Sequence, residues 1–164
     1  ATIRRQRQMC IRDRCGEDEV NRGPEEEPRL SQDGQSLEQF ARLGSFAEMM
    51  LVHEHAVVKI REDMPSAQAA LIGCGVTTGI GAVIHTAKVE PGATVAVIGC
   101  GGIGLSTING AAIAGASRII AVDMVASKLE LARKFGATDV VDASDGDAVA
   151  KVKELTGGGV HYSF

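Results

Sequence analysis

The sequence predicts an α/β fold built on a parallel sheet, and three observations in one stretch predict it. Thr94 to Ile98 is a short apolar run rich in β-branched residues, the composition of a buried strand. Gly99-Cys100-Gly101-Gly102-Ile103-Gly104 follows with the spacing G-x-G-x-x-G and opens Ile103–Ala114, whose small residues suit a helix lying on a sheet. A second apolar run, Arg118 to Val122, then ends in Asp123.

Each part has a physical role. Gly99 permits the tight turn out of the strand, Gly101 leaves room for a pyrophosphate to approach the backbone, and Gly104 lets helix and strand pack closely. Free N–H groups and the positive dipole end at the helix start hold phosphates. Asp123 lies about 20 residues beyond the glycines, where a carboxylate accepts both ribose hydroxyls of an adenosine. A G-x-G-x-x-G alone is weak evidence; between two strands, with a terminal acid, it points to a Rossmann-type dinucleotide site. Ala93–Ser117 is uncharged and long enough to cross a bilayer, but its six glycines and strand-like start argue for a buried core.

Composition bounds the remaining classes. The chain has 164 residues, of which 45% are hydrophobic, enough for one domain with a core. A net charge of -4 and 3% aromatic residues offer nucleic acid neither a basic surface nor stacking platforms. The four cysteines (10, 15, 74 and 100) do not form a disulfide framework, and no secretory leader precedes them. A reducing cytoplasm is the expected location.

Taken in order, residues 1–44 are expected to be a disordered or artefactual tail. Arg4, Arg5, Arg7, Arg12 and Arg14 precede Glu17, Asp18, Glu19 and Glu25 to Glu27, with few apolar residues to offset the ordering entropy. RQRQMCIRDR also looks like translated adapter sequence; a natural disordered tail is the alternative. Cys10 and Cys15 lack the second pair that a zinc site needs. Met49–Val52 and Ala56–Ile60 read as strands separated by His53-Glu54-His55, a solvated corner rather than a metal clip, since no third ligand is near.

Pro65 opens a helical turn through Leu71, and Gly73-Cys74-Gly75-Val76-Thr77-Thr78-Gly79 precedes a helix to about Ala87. Cys74, between two glycines, is a metal ligand or a small buried hydrophobe, and spacing alone favours burial. His85 reads as structural. Beyond Asp123, Ala126–Phe135 reads as a helix with Leu131 and Phe135 one turn apart and Gly136 as its C′ residue. Asp139–Val141 is a third strand. Asp147 caps a helix whose apolar face is Val149, Val152 and Leu155, Gly157 to Gly159 stop it, and Val160–Phe164 begins a fourth strand.

Four segments together carry a family resemblance: GSFAEMMLVHEHAVVKI (44–60), LIGCGVTTGIGAVIHTAKV (71–89), VAVIGCGGIGL (95–105) and IIAVDMVASKLELARKFGATDVVD (119–142). From about Arg29 onward the sequence resembles the zinc-containing medium-chain alcohol dehydrogenases, most of all the aryl-alcohol and thiol-adduct formaldehyde dehydrogenase branch. The resemblance implies that Cys74 is a ligand of a catalytic zinc, reversing the reading from spacing. It further implies that Thr78 borders the nicotinamide of NAD, that Gly101, Gly102 and Gly104 face the pyrophosphate, and that Ile103 packs by the nicotinamide. Asp123, helped by Lys128, holds the adenosine ribose. A small alcohol or aldehyde substrate and a homo-oligomeric parent enzyme follow from the same resemblance; neither nucleic acid nor membrane is expected as a partner.

The departures are as informative. The G-H-E-x-x-G motif that carries a further zinc ligand in that family is absent, as is the cysteine-rich lobe of its structural zinc. The expected organisation is therefore an internal fragment: the tail (1–44), a remnant of the N-terminal catalytic domain with its connecting helix (45–89), and the first half of the dinucleotide-binding sheet (90–164). With one zinc ligand of three, it is expected to oxidise no alcohol alone. A zinc-free quinone or enoyl reductase of the same superfamily, and a non-enzymatic nucleotide-sensing domain, are the alternatives.

Overall fold

The computed structural model describes residues 30–37, 48–49, 57–144 and 146–164. The chain divides into two units, Ala1–Arg61 and Glu62–Phe164, so that 62–89 clusters with the sheet rather than with the segment before it.

In the first unit, β1 (Leu30–Gln32) and β2 (Gln35–Leu37) form an antiparallel hairpin, which corrects the expectation that 1–44 lacks regular structure. Asp33 and Gly34 both take positive φ (52° and 78°), the turn that a right-twisted two-residue hairpin requires. The Asp-Gly pair was the sequence signal, outweighed by the charge around it. Residues 31–37 are exposed, so the hairpin rests on local turn chemistry. Met49 and Val57–Ile60 are exposed and outside any strand, against the expectation for 49–52 and 56–60. The remainder of both segments, with His53 and His55, and residues 1–29 with Cys10 and Cys15, lie outside the described residues.

The second unit holds a four-stranded parallel sheet of β3 (Thr94–Ile98), β4 (Arg118–Asp123), β5 (Asp139–Asp142) and β6 (Tyr162–Ser163), in the order β5-β4-β3-β6. Register pairs Val95 with Ile119 and with Tyr162, and Ile120 with Asp139. Four helices cover it: α1 (Ser66–Ala87), α2 (Gly102–Ile113), α3 (Ala126–Lys134) and α4 (Ala148–Thr156). Alternation along β4 decides the layers. Ile119 and Ala121 join Val95, Val97, Val83, Ile108, Leu129 and Ala132 on the α1–α3 side, whereas Ile120, Val122 and Val141 meet Ala148, Val152 and Leu155 of α4 on the other. A central strand buried on both faces is why β4 has no polar residue between its ends. Ile108, Ile119 and Ile120, each fully buried, contribute roughly 1.5–3 kcal/mol apiece.

Two local expectations, for 66–87 and for Val149, are corrected by the structure. The segment 66–87 is one continuous 22-residue helix, not a glycine turn followed by a helix. It accommodates Gly73 and Gly75 in a wide π turn, Ile72–Val76, where the Thr77 hydroxyl donates to the displaced Ile72 carbonyl at 2.5 Å. By length and composition α1 is also apolar enough to cross a membrane, whereas the uncharged stretch 93–117 divides into β3 and α2. In α3 the inward residues are Leu129 and Ala132, three apart, and Leu131 and Phe135 lie on the outer side. In α4 the buried face is Ala148, Val152 and Leu155, the i, i+4, i+7 set, which turns Val149 outward at 62% exposure. Asp147 caps α4 as expected, accepting from the Val149 and Ala150 amides at 2.9 and 3.1 Å.

The base of β4 is tied to its neighbours by a fork. Arg118 donates through Nε and Nη2 to the two Asp139 carboxylate oxygens, each at 2.9 Å, and through Nη1 to the Leu155 carbonyl of α4. This guanidinium, with the Thr138 hydroxyl at 2.7 Å, pulls the Asp139 carboxyl from 3.8 down to about 2. A depressed acid stabilises the fold above the ordinary carboxylate range, and that contribution is lost as pH falls through about 2. Allowing for solvent at a partly exposed pair, it is about 1–2 kcal/mol. Asp139→Asn should therefore lower Tm at pH 7 by about 5–10 °C, with the gap closing as the pH approaches 2. Melts of both proteins across that range test it; a gap independent of pH would remove the fork from the stability account.

Candidate functional site

The glycine turn sits at the carboxyl end of β3, between β3 and β6, where the strand order reverses direction. In open parallel sheets that switch point is where ligands enter. A cleft of about 500 Å³ opens there. Thr78 and Ala82, four apart on α1, form one wall, and Gly99 with Gly101 to Gly104 form the other. Ile98, Phe164, Val97 and Thr107 close the base.

The glycines divide into distinct jobs. Gly99 has φ +93°, the left-handed turn that ends the strand, and its amide donates to the Val122 carbonyl at 2.8 Å. Gly104 is where helix meets strand: a methyl group there would overlap the Gly99 carbonyl oxygen and lie 2.9 Å from its carbon. Gly101 and Gly102 are different, since a methyl on either would meet nothing within 4 Å. Open backbone at this point is a cradle for a group larger than a side chain. Gly101 is the N-cap of α2 and offers no side chain, so the first helical N–H groups carry no side-chain cap. A phosphate fits such a helix start.

Asp123 is built into the turn more tightly than its motif position indicated. Oδ2 accepts the Cys100 amide at 2.7 Å, Oδ1 accepts the Val125 amide at 2.9 Å, and Lys128 Nζ stands 3.9 Å from Oδ2. The Cys100 N–H first, then the Val125 N–H and the Lys128 charge, hold this carboxyl below its ordinary range despite burial, which opposes them. Each oxygen keeps a further lone pair, so two ribose hydroxyls remain within the capacity of the group. Cys100 itself is buried, and burial followed by the Asp123 charge pushes its thiol up. The Cys100–Asp123 bond spans 23 residues, which no local pattern reveals.

Thr78, Gly99, Gly101, Gly102, Ile103 and Gly104 thus meet in one cleft, while beyond the turn Asp123 ends β4 and Lys128 lies in the first turn of α3. Cys74 stands one helical turn before Thr78, free and exposed rather than buried as its spacing favoured. Among the described residues no three His, Cys, Asp or Glu side chains come together as a metal site. Cys74 by itself does not make a metal centre. His85, on α1, is exposed.

The fold and the cleft define a Rossmann-type α/β unit, opened at its switch point. Residues 102–164 match the family model described as zinc-binding dehydrogenase. The chain is 47% identical over 142 residues to the probable S-(hydroxymethyl)glutathione dehydrogenase 1 of Schizosaccharomyces pombe, covering 86% of this chain and 38% of that protein. It is 45% identical to the class-3 alcohol dehydrogenase of Myxine glutinosa over the same two shares. The structure of benzyl alcohol dehydrogenase from Acinetobacter calcoaceticus superposes with a TM-score of 0.72 at 44% identity, over 76% of this chain and 34% of that one. The chain is similar in sequence and fold to the zinc-containing medium-chain alcohol dehydrogenases and spans 38% of the length of these curated relatives.

Proposed function

We propose that the chain is the nucleotide-binding part of an NAD-dependent, zinc-dependent dehydrogenase that moves hydride from a primary alcohol, or a formaldehyde–thiol adduct, to NAD. The observation that carries the proposal is the glycine turn, open at Gly101 and Gly102 and anchored through Cys100 to Asp123. The substrate class rests on the names of the relatives, alcohol and S-(hydroxymethyl)glutathione dehydrogenases. In this reading the start of α2 binds the pyrophosphate, Asp123 and Lys128 hold the adenosine ribose, and Thr78 and Ile103 flank the nicotinamide. Cys74 contributes one zinc ligand, and the described residues complete no metal centre around it.

Cofactor choice follows from charge. The Asp123 carboxylate repels a 2′-phosphate, Met124, Val125 and Ala126 offer no cation to receive one, and Lys128 is already paired with Asp123. Calorimetric titration of the chain with NAD and with NADP should show NAD binding and NADP weaker by about tenfold or more. Equal affinity with Asp123 intact would sink the NAD assignment, and binding of neither would sink the nucleotide site.

A further inference from the structure

Resting on that reading of the cleft, we propose that Gly79 is a positioning residue for the dinucleotide: its missing side chain sets the width of the cleft between Thr78 and the glycine turn. Gly79 is buried where α1 crosses α2. A methyl group on it would lie 2.5 Å from Ser106 Cβ, 2.6 Å from the Ile103 carbonyl oxygen and 2.7 Å from the Thr107 nitrogen. The last two atoms are opposite ends of one rung of α2, and the Ile103 oxygen also accepts the Thr107 hydroxyl at 2.9 Å. Neither atom can give way without breaking the first turns of the helix that starts at the phosphate cradle.

The consequence falls on the cleft because of what adjoins each partner. Thr78, next to Gly79, lines the α1 wall, Ile103 lines the opposite side, and Thr107 lies at the base. Any group larger than hydrogen at 79 must push α1 away from α2 and carry Thr78 with it. Gly110 makes a second close approach farther along the same crossing, at 3.1 Å from Ile80 Cα and 3.3 Å from the Val83 side chain, with no part in lining the cleft. One crossing thus contains a position that shapes the cleft and a position that only packs.

The test uses the whole chain and two probes, AMP and NAD. AMP reaches Asp123 and one phosphate site; the second phosphate, second ribose and nicotinamide of NAD extend into the cleft. Gly79→Ala should weaken NAD binding by about tenfold and change AMP affinity by less than about twofold, as expected for displacement of one ligand-facing wall. Gly110→Ala should lower Tm and leave the NAD-to-AMP ratio unchanged. If Gly79→Ala does not fold, the ratio is read in Gly79→Ala/Ser106→Gly, which removes one of the three clashes and keeps the one with the Ile103 oxygen. A ratio unchanged in the folded variant, or shifted equally by Gly110→Ala, would overturn the proposal, as would a wild-type chain that binds AMP and NAD equally. Failure to bind either probe would instead count against the nucleotide site itself.

Discussion

Replacing Gly104 with alanine should cost the sheet unit most of its stability. The added methyl would overlap the carbonyl oxygen of Gly99 and lie 2.9 Å from its carbon, at the point where β3 turns into α2. The clashing atoms, the oxygen and carbon of the Gly99 carbonyl, belong to the turn itself. Gly99 is fixed by its left-handed φ and by its bond to Val122, so α2 has to lift from the sheet. Overpacking at a site that cannot relax costs at least about 3 kcal/mol, or about 12–24 °C in Tm for a unit of this size. Gly101→Ala is the informative contrast, because a methyl there meets nothing within 4 Å. It should melt within about two degrees of the parent and yet lose NAD affinity, since the methyl occupies the space a phosphate needs. Thermal melts paired with titrations separate the two glycines; a Gly104→Ala protein as stable as the parent would mean that the turn is softer than its geometry indicates.

Asp123→Asn should damage both stability and binding. The two carboxylate oxygens each face a backbone donor, Cys100 N–H on one side and Val125 N–H on the other. An amide side chain has one oxygen, so its NH₂ must point at one of those donors, whichever way it is turned. The Asp123 side chain is only 9% exposed, and leaving a buried donor unmatched costs about 1–3 kcal/mol. A Tm lower by about 5–15 °C is expected, with NAD affinity reduced tenfold or more and the gap to NADP narrowed. The pH dependence has a definite sign. The Asp123 carboxyl is depressed in the folded chain, chiefly by the Cys100 N–H, so its contribution is present above the ordinary carboxylate range and fades as pH falls through its lowered value. The asparagine variant should lack that part of the acid dependence. An Asp123→Asn protein with unchanged Tm and unchanged NAD affinity would remove Asp123 from both roles.

How far the sequence was legible depended on how local each cause is. β3, the glycine turn, α2 and β4 follow from consecutive residues, and so do the Asp147 cap and the Gly136 and Gly157 terminations, because strand runs, turns and caps act within a few positions. What was missed needed partners far along the chain. The anchoring of Asp123 by Cys100 N–H and the fork from Arg118 to Asp139 and Leu155 exist only once the strands are side by side. The exposed Val149 and Leu131 show a second limit: an apolar residue at helical spacing need not share the buried stripe, and only the sheet's position selects the face. In α1 Gly73 and Gly75 argue locally for a turn, yet the helix runs through them by widening into a π turn. The hairpin at 30–37 is the opposite case, where a local Asp-Gly signal prevailed within a charged segment. Gly79 was legible only as the end of the Gly73–Gly79 run; the close approach it makes depends on the backbone of another helix.

β6 pairs with β3 through Tyr162 and Ser163, flanked by backbone bonds of His161 to Thr94 and of Phe164 to Ala96 and Ile98, with His161 and Thr94 67 residues apart. The β3–α2–β4 connection closes a much shorter loop. Loop-closure entropy therefore orders the events of folding: the central strands assemble around α2 first, and β6 docks late onto a surface already formed. The glycine turn and the Asp123 anchor belong to the early nucleus, whereas the Phe164 side of the cleft arrives with the last strand. The glycine-turn side of the cleft thus closes over the shorter loop and the Phe164 side over the longer one.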